Sequence, residues 1–150
     1  MMAARSTPPA DGDPALYREF EHTGDTGIEL AAPTRGELFR RAAIALGAML
    51  VGRETVAANQ DREVAVEAST DADLMHDLLA ELLSLFLIDS FIWRDAIVDE
   101  HDKSLRVIVR GEPFDPARHD FRGEIKAVTY HQLSVGQDAD GWRARIIFDI

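Results

Sequence analysis

A short glycine-bounded turn near the start of the sequence carries the first residue that could do chemistry. Asp25 lies in the stretch Thr23-Gly24-Asp25-Thr26-Gly27. Because glycine tolerates backbone angles that other residues avoid, this turn can present the Asp25 carboxylate with the backbone close to a ligand. Hard divalent cations prefer oxygen ligands of this kind, so Asp25 is a candidate metal ligand. An aspartate that only stabilises its own turn is the competing interpretation, and for Asp25 taken alone it is the more common case.

The C-terminal end of the sequence brings two further negative charges together. Asp149 and the α-carboxylate of Ile150 lie one residue apart, where a predicted strand stops. A nearby cation or a basic partner would relieve the repulsion between these charges. Without a further group from elsewhere in the fold, the same two residues would be an ordinary chain end.

Other kinds of catalytic site are disfavoured by what the sequence lacks. There is no cysteine, which excludes disulfides, thiolate metal sites and cysteine nucleophiles. The serines lack a Gly-x-Ser-x-Gly elbow, and the glycines form neither a P-loop nor a dinucleotide fingerprint. Four histidines have no partner at a zincin spacing: His76, His101, His119 and His131. Acyl transfer, nucleotide binding and histidine-zinc chemistry are therefore not expected.

The composition indicates one soluble globular domain. The chain has 150 residues, of which 46% are hydrophobic and 29% are charged, as is usual for such domains. The formal net charge of -11 disfavours direct nucleic-acid binding, which relies on lysine and arginine. It favours a divalent cation or a basic protein partner, although an acidic balance that serves only solubility is an equally open interpretation. No signal peptide or membrane-spanning apolar run is recognisable, so we expect a cytoplasmic protein without membrane contact.

The domain is predicted to begin after a flexible tail. Residues 1–14 are rich in proline and small residues and show no periodicity, so the predicted domain covers residues 15–150. Its first elements are two short strands, 16–20 and 28–30, on either side of the Asp25 turn.

Two helices are predicted from apolar residues at helical spacing. The first has Thr34 as its N-cap with Glu37 three residues later, and it runs to Gly52. The second runs from about Ala72 to Asp89 and carries a wide leucine-rich stripe.

The rest of the predicted structure is sheet. Alternating apolar and polar residues indicate strands in the segments 64–68, 92–98, 105–110, 124–135 and 142–149. In the last of these, side-chain alternation places Asp149 on the more polar face. Because the strands cluster instead of alternating with helices, we predict an α+β fold. Its two layers are a mostly antiparallel or mixed sheet and the two helices, which cover one face of that sheet.

Three motifs resemble those of the archease family, the small activators of RtcB-type RNA ligases. They occur in the family's order between Tyr17 and Ile150, and the string Lys-Ala-Val-Thr-Tyr-His is the most specific of them. The motifs are His22–Ile28, Gly111–Asp115 with Arg118-His119, and Glu124–His131 with the terminal Ile147–Ile150.

The resemblance implies a non-catalytic accessory protein with a metal site. Such a protein helps its ligase use GTP to guanylylate the ligase's own active-site histidine and turn over repeatedly, in tRNA splicing or RNA repair. The family's metal ligands correspond to Asp25, Asp149 and Ile150, which would hold a divalent cation (Ca²⁺, Mg²⁺ or Mn²⁺). We assign Lys126 and His22 to contact with the ligase.

The sequence departs from the family pattern within the first motif, and other functions stay open. Gly24 stands where the family usually has alanine, and Thr26 stands where it has valine or isoleucine, which puts the metal affinity in question. The alternatives are a divalent-metal-dependent hydrolase that uses Asp25 and Asp149, or a chaperone-like acidic interaction domain. The latter would be indifferent to loss of the Asp25 carboxylate.

Overall fold

The computed structural model describes Ala10, Asp13, residues 17–22 and residues 24–150, without the side chain of His22. Most of the predicted flexible tail therefore lies outside the described residues, and its flexibility stays a prediction. Within that tail the carbonyl oxygen of Ala10 accepts a hydrogen bond from Arg41 of the domain.

The described residues form eight strands and two α-helices, with one 3₁₀ turn at Arg53–Thr55. None of these helices is long and apolar enough to cross a membrane. The elements, in chain order, are β1 Arg18–His22, β2 Asp25–Ala32, α1 Arg35–Leu50, β3 Gln60–Glu67, α2 Asp71–Leu87, β4 Phe91–Glu100, β5 Ser104–Pro113, β6 Ala127–Val128, β7 Ser134–Asp138 and β8 Gly141–Asp149.

The strands divide between two sheets, and every pairing in the described part of the chain is antiparallel. One sheet has the order β1-β2-β8-β6, with β7 also paired to β8, and the other has the order β3-β5-β4. The predicted α+β class is confirmed. Each helix contacts strands of both sheets, so the helices and the inner faces of the sheets share one hydrophobic core.

Small residues let α1 pack closely on almost all of its sides. The helix begins after Thr34, whose side-chain oxygen accepts a hydrogen bond from Glu37 N at 3.2 Å, as the capping pattern predicts. Further along, a Cβ added at Gly47 would lie 2.8 Å from the Trp93 indole nitrogen. That nitrogen donates to the Ala43 carbonyl oxygen at 2.8 Å, which satisfies the polar atom of a buried tryptophan.

The predicted strand over residues 124–135 is wrong. Ala127–Val128 pairs with β8, the chain then turns, and pairing with β8 resumes only at Ser134, where β7 begins. The Thr129 hydroxyl donates to the Ile147 carbonyl oxygen and accepts from His131 N, and Gln132 has a φ of 54°. A left-handed residue and a side chain that bonds local backbone both interrupt a ladder. His131 therefore lies in a turn.

A buried ion cluster lies where β5 ends. The Glu112 carboxylate accepts hydrogen bonds from Ala57 N at 2.7 Å and from His119 Nε2 at 2.8 Å. Arg118 donates to both of its oxygens, at 2.8 and 3.0 Å. Glu112 and His119 are only 6% and 5% exposed. The Arg118 hydrogen bonds, against the opposing effect of burial and with help from Ala57 and His119, lower the pKa of Glu112 to about 2.

The segment 114–126 leads from this cluster to the other sheet and is fixed at further points. Val51 and Phe121 form an isolated antiparallel bridge at the end of α1. Four backbone hydrogen bonds hold the segment to its surroundings: Phe114 N to Ser90 O at 2.6 Å, Gly52 N to Asp120 O at 2.7 Å, Arg122 N to Leu50 O at 2.8 Å and Lys126 N to Asp149 O at 2.7 Å.

We predict that Gly111→Ala destabilises the protein by about 2 kcal/mol or more, measured by urea denaturation. At a bulge between β4 and β5, a Cβ on residue 111 would lie 1.8 Å from the Ile92 carbonyl oxygen, so backbone would have to move. Gly136→Ala is the matched control, because a Cβ there meets nothing within 4 Å. Equal stability of the two variants would contradict the close approach.

We predict that Glu112→Gln lowers the free energy of unfolding at pH 7 by about 3 kcal/mol, because it breaks a buried charge pair. The folded-state pKa of Glu112, about 2, lies below the ordinary value of 4.5. The ionised carboxylate therefore stabilises the fold above about pH 4.5, and this contribution is lost as the pH falls toward 2. The stability gap between wild type and variant, measured by urea denaturation across this range, should shrink on acidification. A gap that stays constant would contradict the assignment.

Candidate functional site

The two aspartates singled out from the sequence face each other across the β2–β8 ladder. Asp25 pairs in register with Asp149, and directly opposite residues of an antiparallel pair project their side chains from the same face about 5 Å apart. We call Asp25, Asp149 and the terminal carboxylate of Ile150 the acidic row. The alternation predicted for residues 142–149 holds for buried Ala144, Ile146 and Phe148 and for exposed Asp149, but Ile147 on the opposite face is buried as well.

Neighbouring strands extend the row on both sides. His22 of β1 pairs in register with Asp25, and Ala127 of β6 pairs with Asp149. The side chain of His22 lies outside the described atoms, so its assigned contact role stays a prediction. Lys126 lies next to the row, because its backbone N–H donates to the Asp149 carbonyl oxygen at 2.7 Å. Its side chain is exposed and can reach a partner.

The row combines mutual repulsion with an all-oxygen donor set. A cation bound between Asp25 and Asp149 would offset the repulsion that like charges directly opposite each other exert in a sheet. Among the described residues no three histidine, aspartate or glutamate side chains lie close enough to hold a metal together. A cation here would therefore take two aspartates, with the terminal carboxylate as the third protein group, and oxygen ligands of this type suit Ca²⁺, Mg²⁺ or Mn²⁺.

An open groove of about 350 Å³ runs beside the row. Its lining includes Thr26 and Ile150 together with Tyr17, Glu19 and Glu124. Burial, and secondarily the charge of Glu19, raise the pKa of the Tyr17 hydroxyl. The groove thus adds the carboxylates of Glu19 and Glu124 beside the aspartates, and Arg122, which also lines it, is paired with Glu54 and Asp120.

The end of α1 adds to this negative potential. Ala48 and Met49 of its last turn line the groove, and that turn contains no basic residue. Carbonyl groups at a helix C-terminus carry partial negative charge. A positively charged partner is therefore favoured at this end of the molecule.

A cluster on the same face of the sheet stiffens the strands that carry the row. Arg145 lies over the Phe20 ring, 4.0 Å from its centroid, and Arg18 lies 5.1 Å from it. Glu29 accepts hydrogen bonds from both arginines. Burial alone would raise the pKa of Glu29, but these two hydrogen bonds outweigh it and lower the pKa. With two arginines on the one Glu29 carboxylate, this cluster is positive overall and does not compete for a cation.

The two glycines of the first motif serve different purposes. Gly24 has a φ of 75° and makes the hairpin turn between β1 and β2, as the sequence predicts. Gly27 is needed for space, because a Cβ there would lie 2.2 Å from the Phe20 ring. The alternation of Arg18, Phe20 and Glu29 could have shown this cluster, but the sequence reasoning missed it.

Sequence reasoning also missed contacts made by two of the histidines. His119, predicted as an ordinary loop residue, is buried against Glu112. His76 stacks on Tyr130 with ring centroids 3.8 Å apart, which orders an otherwise exposed tyrosine of the third motif. Tyr130 is distant from His76 in sequence, and Glu112 lies seven residues before His119, which is not a recognised motif spacing.

Residues 17–150 match the family model described as the Archease protein family (MTH1598/TM1083). The protein archease of Methanosarcina mazei is 34% identical over 139 residues, which cover 89% of this chain and 95% of the relative. That of Methanopyrus kandleri is also 34% identical, over 138 residues that cover 89% and 99% of the two chains.

Solved structures agree with these sequence matches. The solution structure of protein 1598 of Methanobacterium thermoautotrophicum superposes with a TM-score of 0.71 at 27% identity, covering 91% of this chain and 99% of the other. The crystal structure of an archease of Thermotoga maritima, described as a possible chaperone, gives 0.63 at 21% identity over 90% and 98%, and so shows the shared fold. The chain belongs to the archease family.

Proposed function

We propose that this protein is a non-catalytic activator of an RtcB-type RNA ligase. It promotes GTP-dependent guanylylation of the ligase and multiple turnover, in tRNA splicing or RNA repair in the cytoplasm. The observation that carries the proposal is the register of β2 and β8, which sets Asp25 opposite Asp149. Membership of the archease family supports it.

The acidic row is proposed to bind a divalent cation. Asp25, Asp149 and the terminal carboxylate of Ile150 supply three negatively charged oxygen groups, and the cation, Ca²⁺, Mg²⁺ or Mn²⁺, would hold these groups together. Three protein groups leave coordination positions for water or for a group from the partner. The cation supplies positive charge at the point where the two proteins meet.

The residues around the row are proposed to form the contact with the ligase. The net charge of -11 would speed encounter with a basic cleft and favour one orientation. Lys126 and His22 flank the row and would contact the ligase directly, with the exposed Lys126 side chain offering a positive charge beside Asp149. The arginines bound to Glu29 hold β1, β2 and β8 in register, so the row presents a rigid surface.

Two other functions, a metal-dependent hydrolase and a chaperone-like role, can be compared with the activator function at the same residues. A metal-dependent hydrolase would need a general base and a substrate-binding cluster, and the described residues around the aspartates offer neither. A chaperone-like role is suggested by the description of the Thermotoga maritima relative, and it would depend on apolar surface instead of on Asp25. Loss of ligase acceleration in Asp25→Asn, measured in the activation assay below, would therefore separate activator from chaperone.

We predict that Mn²⁺ and Ca²⁺ bind to the wild-type protein in calorimetric titrations. Asp25→Asn, Asp149→Asn and an extension beyond Ile150 should each weaken binding at least about tenfold, because each removes or displaces one charged ligand. Asp61→Asn, which removes an exposed carboxylate 3.4 Å from Arg110 on the other sheet, is the control and should bind normally. Equal affinity in all variants would refute the site.

We predict that the protein accelerates its own organism's RtcB-type ligase in the presence of GTP and Mn²⁺ or Mg²⁺. The measurements are the rate of guanylylated-ligase formation and the rate of multiple-turnover RNA joining. Lys126→Ala should reduce the acceleration at least about tenfold, since loss of a charge at a close interface contact costs 1.4 kcal/mol or more. Lys103→Ala is the control, because this other lysine lies in the hairpin between β4 and β5. No acceleration by the wild-type protein would reject the activator function.

A further inference from the structure

The buried ion cluster of Glu112, Arg118 and His119 has no part in the function proposed so far. Buried charges are costly unless every one is paired, and a hydrophobic contact would have fixed the end of β5 at lower cost. The cluster lies where the chain leaves the three-stranded sheet and begins the segment 114–126. That segment ends at Lys126, beside the acidic row.

The cluster admits one arrangement of its donors and acceptors. Asp115 N donates to His119 Nδ1 at 2.8 Å, so that nitrogen carries no proton and Nε2 donates to Glu112. The two Glu112 oxygens then accept from His119, from Arg118 and from the Ala57 N–H. The Ala57, Arg118 and His119 donors all point at the one carboxylate, so loss of its charge would weaken these hydrogen bonds together.

The released segment is the one that reaches the acidic row. The His119 ring stacks on Phe114 with centroids 5.6 Å apart, and the segment then crosses the end of α1 through the Val51–Phe121 bridge and the Arg122 N to Leu50 O hydrogen bond. Ile125 is 3% exposed and fills the core immediately before Lys126. Lys126, at the end of this path, donates its backbone N–H to the Asp149 carbonyl oxygen at 2.7 Å.

We propose that Glu112 is a positioning residue for Lys126. Its carboxylate accepts hydrogen bonds from Arg118, His119 and the Ala57 N–H and so fixes the start of the segment 114–126. The position of Lys126 beside Asp149 depends on that fixed start. The significance of that placement rests on the proposed function, but the placement itself can be measured without the ligase.

The first test is amide hydrogen exchange of Glu112→Gln. The Arg122 and Lys126 amides should exchange at least tenfold faster than in the wild type. This increase is counted beyond that of the Val107 amide in the middle of β5, which reports the general loss of stability. Glu100→Gln is the matched control, since it breaks the 2.6 Å ion pair with Arg35 at the start of α1, the other end of that helix. Unchanged exchange at Lys126, or the same increase in the control, would overturn the proposal.

The second test is a double-mutant cycle in ligase activation. Glu112→Gln should lower the maximal acceleration at least fivefold, and in the Lys126→Ala background it should cause no further loss while still lowering the melting temperature. A merely structural role would make the two losses multiply, and that result, or full activity of Glu112→Gln, would overturn the proposal. If the wild-type protein gives no acceleration, the proposed function fails, and the exchange experiment alone decides the role of Glu112.

A milder variant keeps both tests informative. If Glu112→Gln does not fold, Arg118→Gln is the alternative, because it removes the guanidinium that hydrogen-bonds to the Glu112 carboxylate. The Arg118 side chain is 52% exposed, so its loss disturbs the core less. It should show the same pattern with smaller effects. Arg118→Gln without faster exchange at Lys126 would count against the proposal.

Discussion

The antiparallel pairing of β2 with β8 is the interaction on which the rest of the molecule depends. β8 also pairs with β6 and β7, and β2 also pairs with β1, so these two strands hold the five-stranded sheet together. Their inner faces contribute Ile28, Leu30, Ile146 and Phe148 to the core. On the outer face the same register sets two aspartates against each other at one end. Apolar burial on one side therefore compensates for charge repulsion on the other.

This arrangement explains why a rigid framework surrounds the acidic row. A repulsive pair at the end of a sheet favours fraying, and the strands resist it with contacts a few residues further in. The Phe20 ring fills the space above Gly27, and Glu29 links Arg18 to Arg145 across three strands. Charged hydrogen bonds of this kind are stronger than neutral ones. The row can thus be both electrostatically unfavourable and well ordered.

The sequence predicts local structure well, but it does not predict which strands pair or which side chains meet in the fold. The sequence predicts both helices because apolar spacing, and for the first helix the Thr34 cap, are local signals. In the structure these helices begin at Arg35 and Asp71. The polar face of Asp149 followed from alternation alone. By contrast, alternation does not say which strands pair, so it does not predict the division into two sheets. Asp25 and Gly27, which the sequence places in a turn, belong to strand β2 in the structure. The Glu112 cluster joins residues whose relation only the folded chain reveals.

The β2–β8 pairing has a further consequence for how the molecule folds. Its strands come from opposite ends of the domain, so a large loop must close before their contacts repay the lost chain entropy. The helices and the β4–β5 hairpin rely on nearby residues and can form earlier. A partly folded intermediate could therefore contain most of the secondary structure and still lack the juxtaposed aspartates. Any property that depends on that juxtaposition reports on completion of the whole fold.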